Sequence, residues 1–464
     1  MEIKRSTFTG KIGFVLAAAG SAVGLGNIWR FPYLAAKYGG GIFLLVYIIL
    51  AVTFGFSLMI AEIAIGRKTG QSPIGAFQKL DRRFTFVGVF ASVVPALILP
   101  YYSVIGGWVM KYLFGFISGQ GSEMAVINKT EVAGALTEIS FFDKYIENVS
   151  EPIIWFSIYI IITSVVVLLG VQRGVEKVSK IMMPILVVLI LFIAIYSIVT
   201  MDGAVEGVVY YLKPDFSKFS VMTVVAAMGQ LFYSMSLAMG IMITFGSYMK
   251  KEVSIEKSVR QIELFDTGVA FLAGLMVVPA VFAFSGGDET ALNKGAGLMF
   301  VTLPRVFDTM PYGSVIGAVF FLMVFLAALT SSISLMETVV SVLQDKLGMR
   351  RVPACIAVLV FSLLLGCVSA LGYSAWNDIK IIGMTFLDFF DFLANNILMP
   401  VVAFATCIVV GYVIKPKAVT EEVELSGKFR EKKLFAIMIR YIAPICIILI
   451  LVSSILDVFG IVKI

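Results

Sequence analysis

The sequence predicts an all-α polytopic membrane protein with a 5+5 inverted repeat, broken helices in spans 1 and 6, and one additional C-terminal span. The 464 residues are 59% hydrophobic and only 14% charged, and the mean hydropathy is +0.99. This composition excludes an ordinary soluble domain. Eleven apolar runs are long enough to cross a bilayer. The first and sixth runs carry glycine and polar residues at corresponding positions of two halves, a pattern typical of inverted repeats.

The apolar runs organise residues 1–464 as a single membrane domain. The first repeat covers residues 12–201 with spans 1 to 5, and the second covers residues 221–414 with spans 6 to 10. Span 11 covers residues 434–460. The predicted spans are Ile12–Ala36, Gly41–Gly66, Phe86–Phe116, Pro152–Gly170, Ile181–Met201, Val221–Met249, Val259–Phe284, Tyr312–Val342, Pro353–Leu371, Ile381–Ile414 and Leu434–Gly460.

Lysine and arginine concentrate in every second connection, beginning with residues 1–11 and 67–84. Because cytoplasmic connections carry the positive excess, we expect a multi-pass protein of the cell membrane with its N-terminus in the cytoplasm. Eleven spans then place the C-terminus outside. The lipid bilayer is therefore a partner. The basic residues lie in short connections, where topology accounts for them, so no nucleic acid is expected as a partner.

The residue types for enzyme chemistry are scarce. The chain has no histidine, and its four cysteines lie within apolar segments. It carries neither the phosphate-binding G-x-x-x-x-G-K-[ST] loop nor the G-x-S-x-G nucleophile motif. We therefore expect no catalytic residues and no organic cofactor.

Span 1 carries a break in the stretch AAAGSAVGLGNIWRFP. Gly20, Gly24 and Gly26 weaken the helix, while Asn27 and Arg30 bring polar groups to membrane depth. An unpaired backbone group costs several kcal/mol in hydrocarbon, so an interrupted helix persists only where its freed groups line a cavity. We expect that cavity to bind ions and a small zwitterion. Alternatively, Gly20 and Gly24 form a small-residue surface for close helix packing.

Span 6 carries a second break in GQLFYSMSLAMG, where Ser234, Ser236 and Gly240 interrupt an apolar run. Its place in the second half matches that of span 1 in the first, which favours an inverted-repeat secondary transporter. Two unrelated packing helices are the alternative. Intramembrane charges are expensive and usually mark an ion path or a pair. Such charges occur at Glu62, Asp266, Glu337 and Asp391.

These segments resemble the neurotransmitter:sodium symporter family. The resemblance covers spans 1 to 10 and implies a leucine-transporter-type fold that works by alternating access. It implies symport of two sodium ions with a neutral L-amino acid into the cell. The matching motifs are GSAVGLGNIWRFP (20–32), YGGG (38–41), the pair Tyr101 and Tyr102, GQLFYSMSLAMG (229–240), LTSS (329–332) and LDFFDF (387–392).

The resemblance implies two sodium sites built from oxygen ligands, as a hard cation requires. Sodium site 1 would use the Ala22 carbonyl, Asn27, Ser234, Asp266 and the substrate carboxylate. Sodium site 2 would use the carbonyls of Gly20, Val23 and Ala327 with the hydroxyls of Thr330 and Ser331. Many relatives carry asparagine at the position of Asp266, and Ala270 lacks the hydroxyl of chloride-dependent members. The fixed charge of Asp266 thus predicts chloride independence.

The substrate class follows from Gly24, where monoamine-carrying relatives have an aspartate. Gly24 leaves room for the carboxylate of an amino acid, which would bind near Tyr102 and a half-helix N-terminus. The largely apolar wall favours a hydrophobic or aromatic side chain. Leucine-sized and tyrosine-sized substrates both remain open, because flexible Met239 enlarges the site and Ala238 narrows it. The implied substrate-binding residues are Ala22, Leu25, Gly26, Ile98, Tyr102, Tyr233, Ser234, Ser236, Met239, Ser331 and Leu335.

The resemblance also implies two gates. Arg30 and Asp391 match an outer ion pair, and Arg5 and Asp345 match an inner one. Glu62 would brace the unwound part of span 6. Two alternatives stay open: uptake of another small zwitterion such as a small neutral or β-amino acid, and an amino-acid-gated sodium channel or sensor. A channel needs a continuous polar pore, whereas the polar residues here cluster at mid-depth. The oligomeric state is left open.

Overall fold

The computed structural model describes residues 7–132, 135–287 and 297–458. Nine helices in these ranges are long and apolar enough to cross a bilayer, and the bent pair in span 1 makes a tenth crossing. The sixth run folds as two shorter helices, so the total of eleven spans stays a prediction. The nine helices are Gly41–Thr69, Arg82–Ile117, Ser150–Leu168, Val171–Thr200, Ile255–Phe284, Gly313–Leu347, Arg351–Leu371, Phe386–Val413 and Lys432–Leu456.

Span 1 consists of helices Lys11–Ala22 and Gly26–Lys37, which meet at an angle of 56°. The break falls at Val23 and Gly24, where the glycine-rich sequence gives the helix least support. Within the second helix, Gly26–Arg30 form a π-helical turn, and Phe31–Lys37 continue as an α-helix that carries Pro32 near its start. The first helix packs against spans 5, 7 and 8, so the break lies inside the bundle.

Span 6 consists of helices Val221–Ser234 and Ile241–Ser247, with residues 235–240 between them outside any helix. Ser220 begins the first helix with a capping box to Thr223. Ser236, Ala238 and Gly240 adopt left-handed backbone angles, with φ of 52°, 60° and 69°. Only glycine takes such angles without strain, so the other two residues need support from their surroundings.

Shorter elements connect the spans. Strands β1 (Ile127–Val132) and β2 (Ala135–Ser140) form an antiparallel pair in the connection before span 4, with Ile127 opposite Ser140. They add two strands to the predicted all-helical architecture. A helix at Lys415–Glu424 lies in the connection between spans 10 and 11. Further short helices are Pro73–Leu80, Gly121–Ala125, Phe141–Glu147, Ala204–Leu212 and Leu303–Thr309.

Candidate functional site

The breaks of spans 1 and 6 face one cavity, which spans 3 and 8 complete. Its empty volume is about 350 Å³. All the predicted substrate-binding residues except Leu25 line it, together with Ser21, Gly24, Asn27 and Ile241. Leu25 lies behind the wall, where its backbone N–H donates to the Tyr102 hydroxyl at 3.2 Å. The positions of these residues in the sequence did not predict how the four spans pack. The glycine and polar residues within the apolar runs did predict which residues line the cavity.

Several backbone groups at the span 1 break meet partners near the cavity. The Gly24 N–H donates to Asn27 Oδ1 at 3.1 Å, and the Gln230 amide on span 6 donates to the Gly26 carbonyl at 2.9 Å. An ideal Cβ at Gly24 would lie 2.8 Å from Ser331 Oγ and 3.0 Å from the Tyr102 hydroxyl. The absence of a side chain at Gly24 therefore keeps this end of the cavity open between two hydroxyl groups.

An acidic corner lies beside the cavity, on spans 1, 6 and 7. Asp266 is fully buried, and its Oδ1 accepts from the Asn27 amide and from Ser234 Oγ, each at 2.7 Å. The Tyr47 hydroxyl donates to Oδ2 at 3.4 Å. No basic side chain in the described ranges pairs with this carboxylate. A buried carboxyl without a counter-charge must bind a cation or a proton, so the corner suits a monovalent cation.

A second set of oxygens gathers around Ser331 on span 8. Its Oγ lies 3.2 Å from the carbonyls of Ser21 and Ala327, 3.3 Å from that of Val23 and 3.5 Å from that of Gly20. One hydroxyl proton cannot satisfy four acceptors, and the span 1 carbonyls lie at the negative end of a helix. Thr330 Oγ1 donates to the Ala327 carbonyl at 3.0 Å. The predicted residues of sodium site 2 are thus brought together as a cluster of hard oxygens.

Glu62 on span 2 and Ser21 on span 1 hold the break of span 6. The Ala238 N–H donates to Glu62 Oε1 at 2.7 Å, and Ser236 Oγ donates to the Ser21 carbonyl at 2.9 Å. Both bonds fall on the residues with left-handed backbone angles. Tertiary hydrogen bonds therefore compensate the strain in this segment.

The predicted outer pair of Arg30 and Asp391 stays a prediction, and the two charges are apart in this structure. Arg30 and Asp391 both lie in the described part of the chain and line one cavity, but no ion pair within 4 Å joins them. The Arg30 guanidinium lies over the Tyr233 ring, 5.5 Å from its centroid. Asp391 accepts from the Tyr101 hydroxyl at 3.0 Å and from the Asn395 amide at 2.6 Å. In this structure each of the two charges contacts other side chains.

Aromatic side chains pack together at the end of the bundle that carries the N-terminus. Phe8 is buried against Phe14, Phe245 and Tyr248 in edge-on contacts, and its N–H donates to the Tyr248 carbonyl at 3.1 Å. Of the predicted inner pair, Asp345 accepts from the Ser72 N–H at 2.7 Å. Arg5 lies outside the described residues.

Sequence reasoning missed three contributors: Tyr47 beside Asp266, Gln230 on the Gly26 carbonyl, and Ser21 between the two breaks. Ser21 and Gln230 stand inside the two polar motifs, so they could have been found there. Tyr47 lies in a plain apolar run of span 2, where nothing marks it out.

Two broken helices around a polar cavity at mid-bundle define a secondary transporter. Comparisons with known proteins identify it further. The profile of the sodium:neurotransmitter symporter family matches residues 5–124 and 132–461. The uncharacterized sodium-dependent transporter YhdH of Bacillus subtilis (strain 168) is 34% identical over 98% of both chains. An uncharacterized sodium-dependent transporter of Haemophilus influenzae is 32% identical over 97% of this chain and 98% of its own.

A solved structure is also similar to this chain over nearly its whole length. The crystal structure of MhsT in complex with L-phenylalanine matches with a TM-score of 0.86 and 35% identity, over 97% of this chain and all of that one. The chain belongs to the sodium:neurotransmitter symporter family. It is a sodium-dependent transporter and not an enzyme, and the predicted leucine-transporter-type fold is confirmed.

Proposed function

We propose that this protein carries a neutral L-amino acid with a hydrophobic or aromatic side chain into the cell, coupled to two sodium ions and independent of chloride. The observation that carries the proposal is the mixed lining of the cavity. Backbone groups of span 1 and several hydroxyl groups line it together with the apolar side chains of Ile98, Met239 and Leu335. A zwitterion with an apolar side chain combines the same two kinds of group.

The polar end suits the two charges of an amino acid. Its carboxylate would lie near Gly24, Gly26 and the Tyr102 hydroxyl, at the N-terminus of the second half of span 1, where the helix dipole favours an anion. Its ammonium would meet the Ala22 and Tyr233 carbonyls and Ser236. The complex of MhsT with L-phenylalanine supports an aromatic amino acid as substrate, since that protein shares this fold over nearly the whole chain.

We assign sodium site 1 to Ala22, Asn27, Ser234 and Asp266, completed by the substrate carboxylate. This shared ligand would make sodium and substrate binding reciprocal. Sodium site 2 would use the oxygen cluster around Ser331. In sodium site 1 the Asp266 carboxylate supplies the negative charge, which makes a chloride ion unnecessary.

Uptake into proteoliposomes tests the proposal. With an inward sodium gradient we expect L-phenylalanine or L-leucine to accumulate above its outside concentration, both in chloride and in gluconate. Accumulation should stop when potassium replaces sodium or an ionophore collapses the gradient. Sodium flux gated by the amino acid, without accumulation, would instead indicate a channel. Accumulation of a β-amino acid alone would overturn the assigned substrate class.

A further inference from the structure

A basic groove opens at the end of the bundle that carries the N-terminus. It lies between the beginnings of spans 1 and 7 and the segment 426–431 before span 11, with an empty volume of about 1180 Å³. Five basic side chains line this groove, against the two acidic residues Glu256 and Glu431. The basic residues are Lys11, Lys257, Arg260, Lys428 and Arg430.

Protein partners neutralise only part of this charge. Arg260 pairs with Glu263 at 3.0 Å and with Glu431 at 3.6 Å. The Glu256 carboxylate accepts from the Arg430 backbone N–H at 3.2 Å. Within the ranges that the structure describes, no acidic side chain pairs with the ammonium groups of Lys11, Lys257 or Lys428. The groove therefore keeps a net positive charge.

Exposed apolar side chains lie next to the groove on the spans that form it. Lys257, Gln261 and Leu264 follow one face of span 7, and Leu264 is 73% exposed. Ile12, beside Lys11 at the start of span 1, is 69% exposed. Arg260 also donates to the Val52 carbonyl of span 2 at 3.2 Å, and the Val52 side chain is 40% exposed. Basic groups thus lie next to exposed apolar side chains of spans 1, 2 and 7.

We propose that this groove binds an anionic phospholipid of the leaflet on the N-terminal side, which is cytoplasmic in the predicted orientation. The phosphate would lie among Lys11, Lys257 and Lys428, and the acyl chains would follow Ile12 and Leu264. Basic pockets between spans at the cytoplasmic face suit such headgroups. The apolar continuation favours a lipid over a soluble phosphate, because only a lipid fills both parts.

Native mass spectrometry of the purified, delipidated protein tests this proposal. Phosphatidylglycerol and phosphatidylcholine with identical acyl chains are titrated separately, and inorganic phosphate is titrated in parallel. We expect phosphatidylglycerol to bind at least about tenfold more tightly than phosphatidylcholine, since each basic residue near an anionic headgroup contributes roughly a fivefold preference. Inorganic phosphate should not compete with it. Equal binding of both lipids, or displacement by inorganic phosphate, would overturn the proposal.

A charge-matched pair of variants locates the site. The triple variant Lys11→Gln, Lys257→Gln and Lys428→Gln should lose the preference for phosphatidylglycerol. The control Arg82→Gln, Lys177→Gln and Lys417→Gln removes the same charge from exposed positions elsewhere and should keep it. Circular dichroism and gel filtration verify the fold of both. An unchanged preference in the first variant, or equal losses in both, would show that the groove is not the site. The fold alone forms this groove, whichever substrate the protein carries.

Discussion

Asp266 and Asn27 lie 2.7 Å apart, carboxylate to amide, although 239 residues separate them in the chain. Ser234 contacts both side chains, at 2.7 Å from Asp266 and 2.9 Å from Asn27. One polar corner therefore takes side chains from span 1, from span 6 and from span 7. It exists only when segments from both halves of the chain are packed together.

Replacing Asp266 by asparagine removes the only formal charge of that corner among the residues that contact it. We expect the sodium concentration for half-maximal uptake to rise roughly tenfold to a hundredfold, as for the loss of a 1.5–3 kcal/mol charged interaction. Chloride should then stimulate uptake. Asp202→Asn, on an exposed turn, is the control and should change neither property. A variant with unaltered sodium dependence would remove Asp266 from sodium site 1.

Replacing Gly24 by alanine should abolish amino acid binding, because the new Cβ would lie 2.8 Å from Ser331 Oγ and 3.0 Å from the Tyr102 hydroxyl. The matched control is Gly229→Ala in span 6, where a Cβ meets no atom of the described chain within 4 Å. Thermal shift with L-phenylalanine in sodium measures both variants. Binding by Gly24→Ala at the level of the unmodified protein would contradict the placement of the carboxylate.

Replacing Glu62 by leucine leaves the buried Ala238 N–H without its acceptor. We expect a loss of about 1–3 kcal/mol in stability, which is the penalty for an unsatisfied buried donor. Glu62→Gln keeps the acceptor oxygen and should be close to the unmodified protein. Thermal unfolding in detergent distinguishes the two. Equal melting temperatures for both variants would mean that the hydrogen bond does not stabilise span 6.

The buried pair of Arg67 with Glu422 fixes the helix Lys415–Glu424 to the end of span 2. Arg67 Nε donates to Glu422 Oε1 at 2.9 Å, and Nη1 donates to the Val253 carbonyl at 2.7 Å. Arg67→Met should cost about 1.5–3 kcal/mol, because Glu422 loses a buried charged hydrogen bond but keeps Lys251 at 3.3 Å. Lys432→Met breaks a pair with Glu424 that is half exposed, and it should cost less than about 1 kcal/mol. Unfolding curves of the two variants give the comparison.

The sequence was most informative where polarity conflicts with the membrane. Gly24, Asn27 and Ser234 stand out in apolar runs, so both breaks and most of the cavity lining could be predicted. Contacts between segments that are distant in the chain could not be recognised from the sequence in this way. Tyr47 lies in an apolar span in which nothing distinguishes it from its neighbours. The partners of Arg30 and Asp391 depend on side-chain conformations, which the sequence does not specify. The β1–β2 pair likewise forms in a connection whose polar sequence suggested no strand.

The left-handed angles of Ser236 and Ala238 bear on the order in which the protein assembles. The left-handed conformation costs roughly 1–2 kcal/mol at each such residue. Span 6 by itself would therefore be more stable as a continuous helix. The groups that keep it open, Glu62 and Ser21, belong to the half of the chain that is synthesised first. We therefore expect the substrate site to be among the last parts to form, after the two halves have docked. A nascent chain would be unable to bind its ligand before the architecture around it is complete.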